Sequence, residues 1–171
     1  MRAALGILAL AVAGCHADPA AIAPTTPSHL LTAELPAFRR PVLQGGSFDT
    51  AGAAGRVLVV DFFADYCKPC QRKLPAMEAF HREHPEVAVV GVSLDENAAS
   101  AWKSISRHHL TFPVVHDAGN VLAGRFRITE LPYGFVVDVA GKVRYAAGPF
   151  HPPDALQRAA LAVARGPLVS P

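Results

Sequence analysis

Cysteine is scarce, with three in 171 residues, too few for the disulfide framework that holds small secreted folds together. Neither sign of charge dominates. The formal net charge is +2, which argues against nucleic acid as a partner, since its binders carry a basic footprint. No apolar run reaches the ~20 residues that a bilayer-spanning helix needs. Internal repeats are absent as well. What is present is ordinary for a packed protein: 51% of residues are hydrophobic and 18% charged, unlike a disordered chain. A chain of this length has room for one domain with a core of useful size.

The few cysteines fall into two groups, a lone Cys15 and a close pair, Cys67 and Cys70. Met1 and Arg2 precede an unbroken apolar stretch over residues 3–13, the pattern of an export signal. Residues 12–15, Val-Ala-Gly-Cys, resemble the bacterial lipobox, after which the cysteine is lipidated. Residues 1–14 are therefore expected to be a signal peptide, with Cys15 as a membrane anchor. The alternative is ordinary signal peptidase cleavage after residues 11–13, a small-x-small site. Residues 15–33 are rich in Ala, Pro, Thr and Ser and read as a flexible tether. Fully stretched, it would reach on the order of 60 Å at ~3.3 Å per residue. The folded domain is expected over residues 34–171.

Within that domain, residues 35–38 and 41–48 read as short extended pieces around Gly45-Gly46, a small hairpin. Residues 56–63 (RVLVVDFF) and 87–93 (VAVVGVS) have the apolar character of strands buried on both faces. Between them Leu74, Met77 and Phe80 recur at helical spacing, with Pro75 expected to kink the helix. Ala98, Trp102, Ile105 and His109 define a second helical stripe, with Asp95 or Asn97 as its cap and Trp102 in the core. Residues 112–116 are a candidate short strand. Residues 135–138 and 143–146 form a candidate hairpin around Gly141, and a helix follows from Asp154 to a stop at Gly166 and Pro167. Strands alternating with helices, then a hairpin and a helix, predict an α/β fold: a central mixed sheet flanked by helices on both faces, with a short N-terminal β-hairpin.

Cys67-Lys68-Pro69-Cys70 lies between a buried strand and an amphipathic helix. At a helix N-terminus, free amides and the macrodipole favour negative charge, so Cys67 is expected to be the attacking thiolate. Cys70, one turn further on, would resolve the mixed disulfide. Pro69 suits the first turn of the helix, where its missing N–H costs nothing. Lys68 adds a weak solvent-screened cation beside Cys67. A zinc site would need further ligands, and no second cysteine pair supplies them. An inert structural disulfide is the other alternative, but so small a loop would contribute little stability.

Residues 59–70 (VVDFFADYCKPC) resemble the thioredoxin active-site segment. Leu131-Pro132 resembles the cis-proline loop that faces the cysteines in that superfamily. Further matches at residues 35–38, 45–46, 91–95, 112–117 and 131–138 make the chain similar to the TlpA/ResA branch of extracytoplasmic thiol-disulfide oxidoreductases. The resemblance implies a thioredoxin fold, a dithiol enzyme without a cofactor, and catalytic roles for Cys67, Cys70, Asp61 and Pro132. Asp61 would be the buried acid moving a proton to or from Cys70. The thioredoxin partner lysine is unmatched, because Gly91 occupies its strand position. Tyr66 replaces the usual Trp and, with Lys68, Pro69 and Leu131, would contact substrate, the Leu131 backbone pairing with an extended segment. Glu130 and the histidines read as ordinary surface or satisfied groups.

The partners implied by the resemblance are exported proteins bearing disulfides, apocytochrome c among them, and a membrane thiol reductant of the DsbD/CcdA type. Running in the opposite direction, the same chemistry would be that of a disulfide oxidase or isomerase. A copper-handling Sco-like module is the reading from another class, although that family uses a wider cysteine spacing. A peroxiredoxin is disfavoured because its reactive cysteine sits in a different local motif.

Overall fold

A computed structural model describes residues 22–166; the expected signal peptide, Cys15 and Pro167 lie outside the described residues. Thirteen short elements build one sheet and its covers. β1 (Arg39–Pro41) and β2 (Ser47–Asp49) form the antiparallel hairpin expected around Gly45-Gly46. Both glycines have positive φ, 110° and 77°, which a side chain would resist. The central sheet runs in the order β5-β4-β3-β6-β7. Its strands are β3 (Leu58–Phe63), β4 (Ala88–Ser93), β5 (Val114–His116), β6 (Tyr133–Val137) and β7 (Val143–Ala147). β3 pairs in parallel with β4 and antiparallel with β6, so the sheet is mixed.

Every residue of β3 and β4 is buried, which is why both read as continuous apolar runs rather than alternating ones. The pleat then sends successive side chains to opposite faces. Val59 and Phe63 join one core cluster with Leu74 and Met77 of α1 (Lys68–Glu83) and Leu156 and Ala160 of α4 (Ala155–Arg165). Leu58, Val60 and Phe62 join the other, under Phe38 of the entry hairpin and Leu122 and Phe126 of α3 (Val121–Phe126). Helices therefore cover both faces, as the sequence implies. None of the described helices is long and apolar enough to cross a membrane.

Three expectations change. Trp102 is 41% exposed rather than core, because α2 (Ala98–His108) buries Ala101, Ser104 and Ile105 instead. Hydrophobicity alone misplaces that stripe: Ser104 goes inward because its hydroxyl accepts a hydrogen bond from Gln71 Nε2 at 2.9 Å. His109 lies past the helix, in the left-handed region at φ 51°. Helix α3 is an addition to the expected elements. It is six residues long, and its first turn is held by buried Asp117, whose two oxygens accept from the amides of Leu122 (2.9 Å) and Ala123 (2.8 Å).

The third change concerns the tether. Residues 22–33, the described part of the expected tether, run along β7, the sheet edge. Thr26 N donates to Ala146 O at 2.8 Å, Ala146 N donates to Thr25 Oγ1 at 2.9 Å, and Thr32 N donates to Val143 O at 2.9 Å. Tyr145 Oη donates to Ala23 O at 2.9 Å, and Leu30 is 5% exposed. A composition of Ala, Pro and Thr reads as a free linker because an edge-covering strap has no periodicity of its own. The strap satisfies polar groups that the edge would otherwise present to other chains.

Candidate active site

β3 delivers the chain to the top of the sheet, and residues Ala64–Tyr66 turn it into α1. That turn is pinned on both sides. Buried Asp95, just past β4, accepts from the Asp65 amide at 2.9 and 3.2 Å and from Ser93 Oγ at 2.8 Å. Asp95 is therefore not the cap of α2; Asn97 takes that place, accepting from Ser100 N at 3.0 Å. From the other side, Gln71 Nε2 donates to Ala64 O at 3.0 Å, while Arg107 Nη1 bridges Asp65 Oδ1 (2.8 Å) and Gln71 Oε1 (2.9 Å). His108 Nε2 also meets Gln71 Oε1 at 2.8 Å. Burial, with Arg107 adjacent, pushes the His108 pKa down.

Cys67 is the N-cap of α1 and Pro69 occupies its first turn. The two cysteines are joined as a disulfide, with Cα atoms 5.2 Å apart. The Cys70 amide donates to Cys67 Sγ at 3.2 Å. Cys67 is 7% exposed and Cys70 fully buried, the asymmetry expected of an attacking and a resolving thiol. Lys68, Pro69 and Tyr66 are exposed, Tyr66 to 72%.

Leu131-Pro132 is a cis peptide. Leu131 shares an open cleft of about 780 Å³ with Tyr66, Cys67, Pro69, Leu94 and Ile128. Exposed Glu130 also lies in its wall. The sequence-predicted contact residues Tyr66, Lys68, Pro69 and Leu131 thus line one cleft with Cys67. Pro132 faces a second, narrower cleft together with Pro69 and Lys73. Among the described residues, no group of three or more His, Cys, Asp or Glu side chains is arranged to hold a metal ion.

Asp61 is completely buried. On β3 it shares the face of Val59 and Phe63, the face that packs against Cys70 and α1. Its register partners are Gly91 on β4 and Gly134 on β6. Both sites are closed to a side chain: a Cβ at Gly91 would stand 2.9 Å from Phe63 and 3.0 Å from Phe112. One at Gly134 would stand 2.5 Å from Leu156 and 2.9 Å from the Val60 carbonyl oxygen. The Asp61 carboxyl is thus flanked in register by two residues that carry no side chain of their own. Burial pushes its pKa up, and the charge and hydrogen bond of Lys73 oppose the shift.

That lysine is what the sequence reading missed. Lys73 Nζ pairs with Asp61 Oδ1. Gly91 does leave the strand position empty, but the cation arrives from α1, three residues after Cys70. The available signal was helical spacing: Lys73 lies between Cys70, Leu74 and Met77 on the inward face of α1.

A strand-loop-helix dithiol beside a cis-proline loop, on a mixed five-stranded sheet, defines a thioredoxin-like protein. Residues 31–146 match the AhpC/TSA family, and the chain belongs to that family. It is 28% identical over 112 residues to the thiol-disulfide oxidoreductase ResA of Bacillus cereus, covering 64% of this chain and 65% of that protein. The match thus spans about two thirds of the relative's length. Among solved structures, a Chlorobium tepidum protein provisionally described as a thiol:disulfide interchange protein DsbE superposes with a TM-score of 0.70 at 27% identity. That match covers 76% of this chain and 94% of the other. StoA from Bacillus subtilis, at 24% identity and TM-score 0.62, covers 76% and 98% and supports the fold.

Proposed function

We propose that the protein is an extracytoplasmic thiol-disulfide oxidoreductase that reduces disulfides of exported proteins through Cys67 and Cys70, with Asp61 as proton acceptor and Pro132 shaping the client site. The observation that carries this reading is the pairing of an N-capping, slightly accessible Cys67 with a fully buried Cys70. Resemblance to a thiol-disulfide oxidoreductase, ResA, supports the reaction class. The sequence features at residues 1–15 support export and attachment to a membrane through a lipid on Cys15. Apocytochrome c is a fitting client, and a membrane thiol reductant of the DsbD/CcdA type a fitting electron donor.

Equilibration of the purified protein with glutathione tests the direction of flux. A reductant should lie near thioredoxin's ~−270 mV and a strong oxidant near ~−120 mV. A potential at the oxidising end overturns the reductive assignment in favour of an oxidase or isomerase. Peroxide consumption without a disulfide client would move the protein to a different reaction class, as would stoichiometric copper binding by the dithiol.

A further inference from the structure

The strap of residues 22–33 decides where the chain leaves the domain. β6 runs antiparallel to β3 and β7 antiparallel to β6, so β7 points the same way as β3 and ends where β3 enters the Cys67 turn. The strap runs the opposite way along β7. Thr32 bonds Val143 at the start of that strand, and Thr26 Oγ1 accepts from the Gly148 amide, just past its end, at 2.9 Å. The first described residues are then fastened at the dithiol end. Tyr145 Oη donates to Ala23 O at 2.9 Å, and His151 Nε2 meets Pro24 O at 2.6 Å; because a carbonyl only accepts, that nitrogen carries the hydrogen. Ile22 packs against the core cluster that contains Cys67 and Cys70. His151 also lines the narrow cleft that Pro69 and Pro132 share.

Were residues 22–33 free, the chain would leave from Glu34, which bridges Lys142 beside the Gly141 turn, at the opposite end of β7. The strap therefore moves the exit to the dithiol end and shortens the free chain. Residues 15–21 alone separate a lipid on Cys15 from Ile22, a reach of at most about 25 Å, against roughly 60 Å for the whole stretch to residue 33. A domain of this size is roughly 40 Å across. The longer tether would let such a body turn freely above the surface; the shorter one does not.

We propose that the strap holds the dithiol end of the domain toward the membrane, so that Cys67 exchanges with a dithiol or disulfide that a membrane protein carries close to the lipid surface. The inference rests on the attachment reading above, a lipid on Cys15, and adds an orientation to it. Two exposed aromatic side chains lie at the end turned to the surface: Phe150, 94% exposed, in the loop that His151 ties to Pro24, and Tyr66 beside Cys67. Exposed Val139 marks the opposite end, in the turn between β6 and β7. A partner held within reach of the short chain meets Cys67 at a raised effective concentration, which a client free in the surrounding compartment does not.

The test is energy transfer from a single tryptophan to dansyl headgroups, with the full lipidated chain in phosphatidylcholine vesicles. Trp102, the one tryptophan of the sequence, is removed as Trp102→Phe, and a reporter is placed by Phe150→Trp in one protein and Val139→Trp in another. With the two ends of β7 ~17 Å apart, transfer from position 150 should exceed that from position 139 at least about twofold. Replacing residues 22–33 by a Gly/Ser stretch of equal length should abolish or reverse that difference. A second variant covers failure of the first to fold: about twelve Gly/Ser residues inserted between positions 18 and 19 lengthen the free chain while leaving the strap in place, and should level the two reporters. Equal transfer from both positions in the protein with its natural strap and tether overturns the inference. Persistence of the bias in the lengthened chain assigns the orientation to the surface itself and overturns it as well. A chain that carries no lipid on Cys15 fails together with the attachment reading, which mass measurement of the exported protein separates from a lipidated chain without orientation.

Discussion

The amide of Cys70 donates to Sγ of Cys67 at 3.2 Å, so a charge on that sulfur would sit at the unsatisfied N-terminus of a sixteen-residue helix. Free amides and the helix dipole both stabilise a thiolate there. Nothing comparable serves Cys70, which is fully buried.

Alkylation of the reduced protein at mildly acidic pH should therefore label Cys67 well before Cys70, by at least about tenfold if the thiol pKa values differ by one unit or more. Cys70→Ser should accumulate mixed disulfides with client proteins, and Cys67→Ser should trap almost none. Symmetric trapping, or faster labelling of Cys70, reverses the assigned roles.

Asp61 gives a stability signature independent of activity. Burial raises its pKa in the folded protein, against the opposing effect of Lys73, so the folded state retains a proton that the unfolded chain has released. That contribution is fully present below the unfolded carboxyl pKa of ~3.9 and disappears as pH rises through the folded value. Urea unfolding from about pH 4 upward should show stability falling at this site. Asp61→Asn should flatten that slope. A slope of the opposite sign would mean that Lys73 has lowered the folded pKa below the unfolded one.

The sequence made β3, α1 and the placement of the cysteine pair at the start of that helix legible because each depends on local pattern. Apolar residues run through β3 and β4 since those strands are buried on both faces, and Leu74, Met77 and Phe80 keep helical spacing on the buried face of α1. Lys73 was illegible for the opposite reason: its partner Asp61 is twelve residues away, and charge on a helix ordinarily marks its solvent side. Asp95 presented the same difficulty, since an acid just before a helix reads as its cap, whereas its carboxylate turns back to hold the Asp65 amide. Trp102 shows the converse, a large apolar residue placed in the core by composition and left half-exposed by the orientation of α2.

The final prediction concerns the boundary between strap and anchor. A protein beginning at residue 34 loses the bonds that Ala23, Thr25, Thr26 and Thr32 make with β7. It also loses Leu30 from the core. With a typical hydrogen bond worth ~0.5–1.5 kcal/mol, loss of the strap should lower unfolding stability by about 2–4 kcal/mol and promote association through the exposed edge. A protein beginning at residue 22 should match the stability of one beginning at Cys15. Unchanged stability on removal of residues 22–33 would return that stretch to the role of a free tether. The proposed lipid anchor is tested apart from the strap: Cys15→Ser should release an exported protein from membranes without altering its unfolding curve or its rate on a model disulfide. Tight membrane association of the exported Cys15→Ser protein would place the attachment elsewhere. In that case the strap along β7 would stand as a structural element with no anchor behind it.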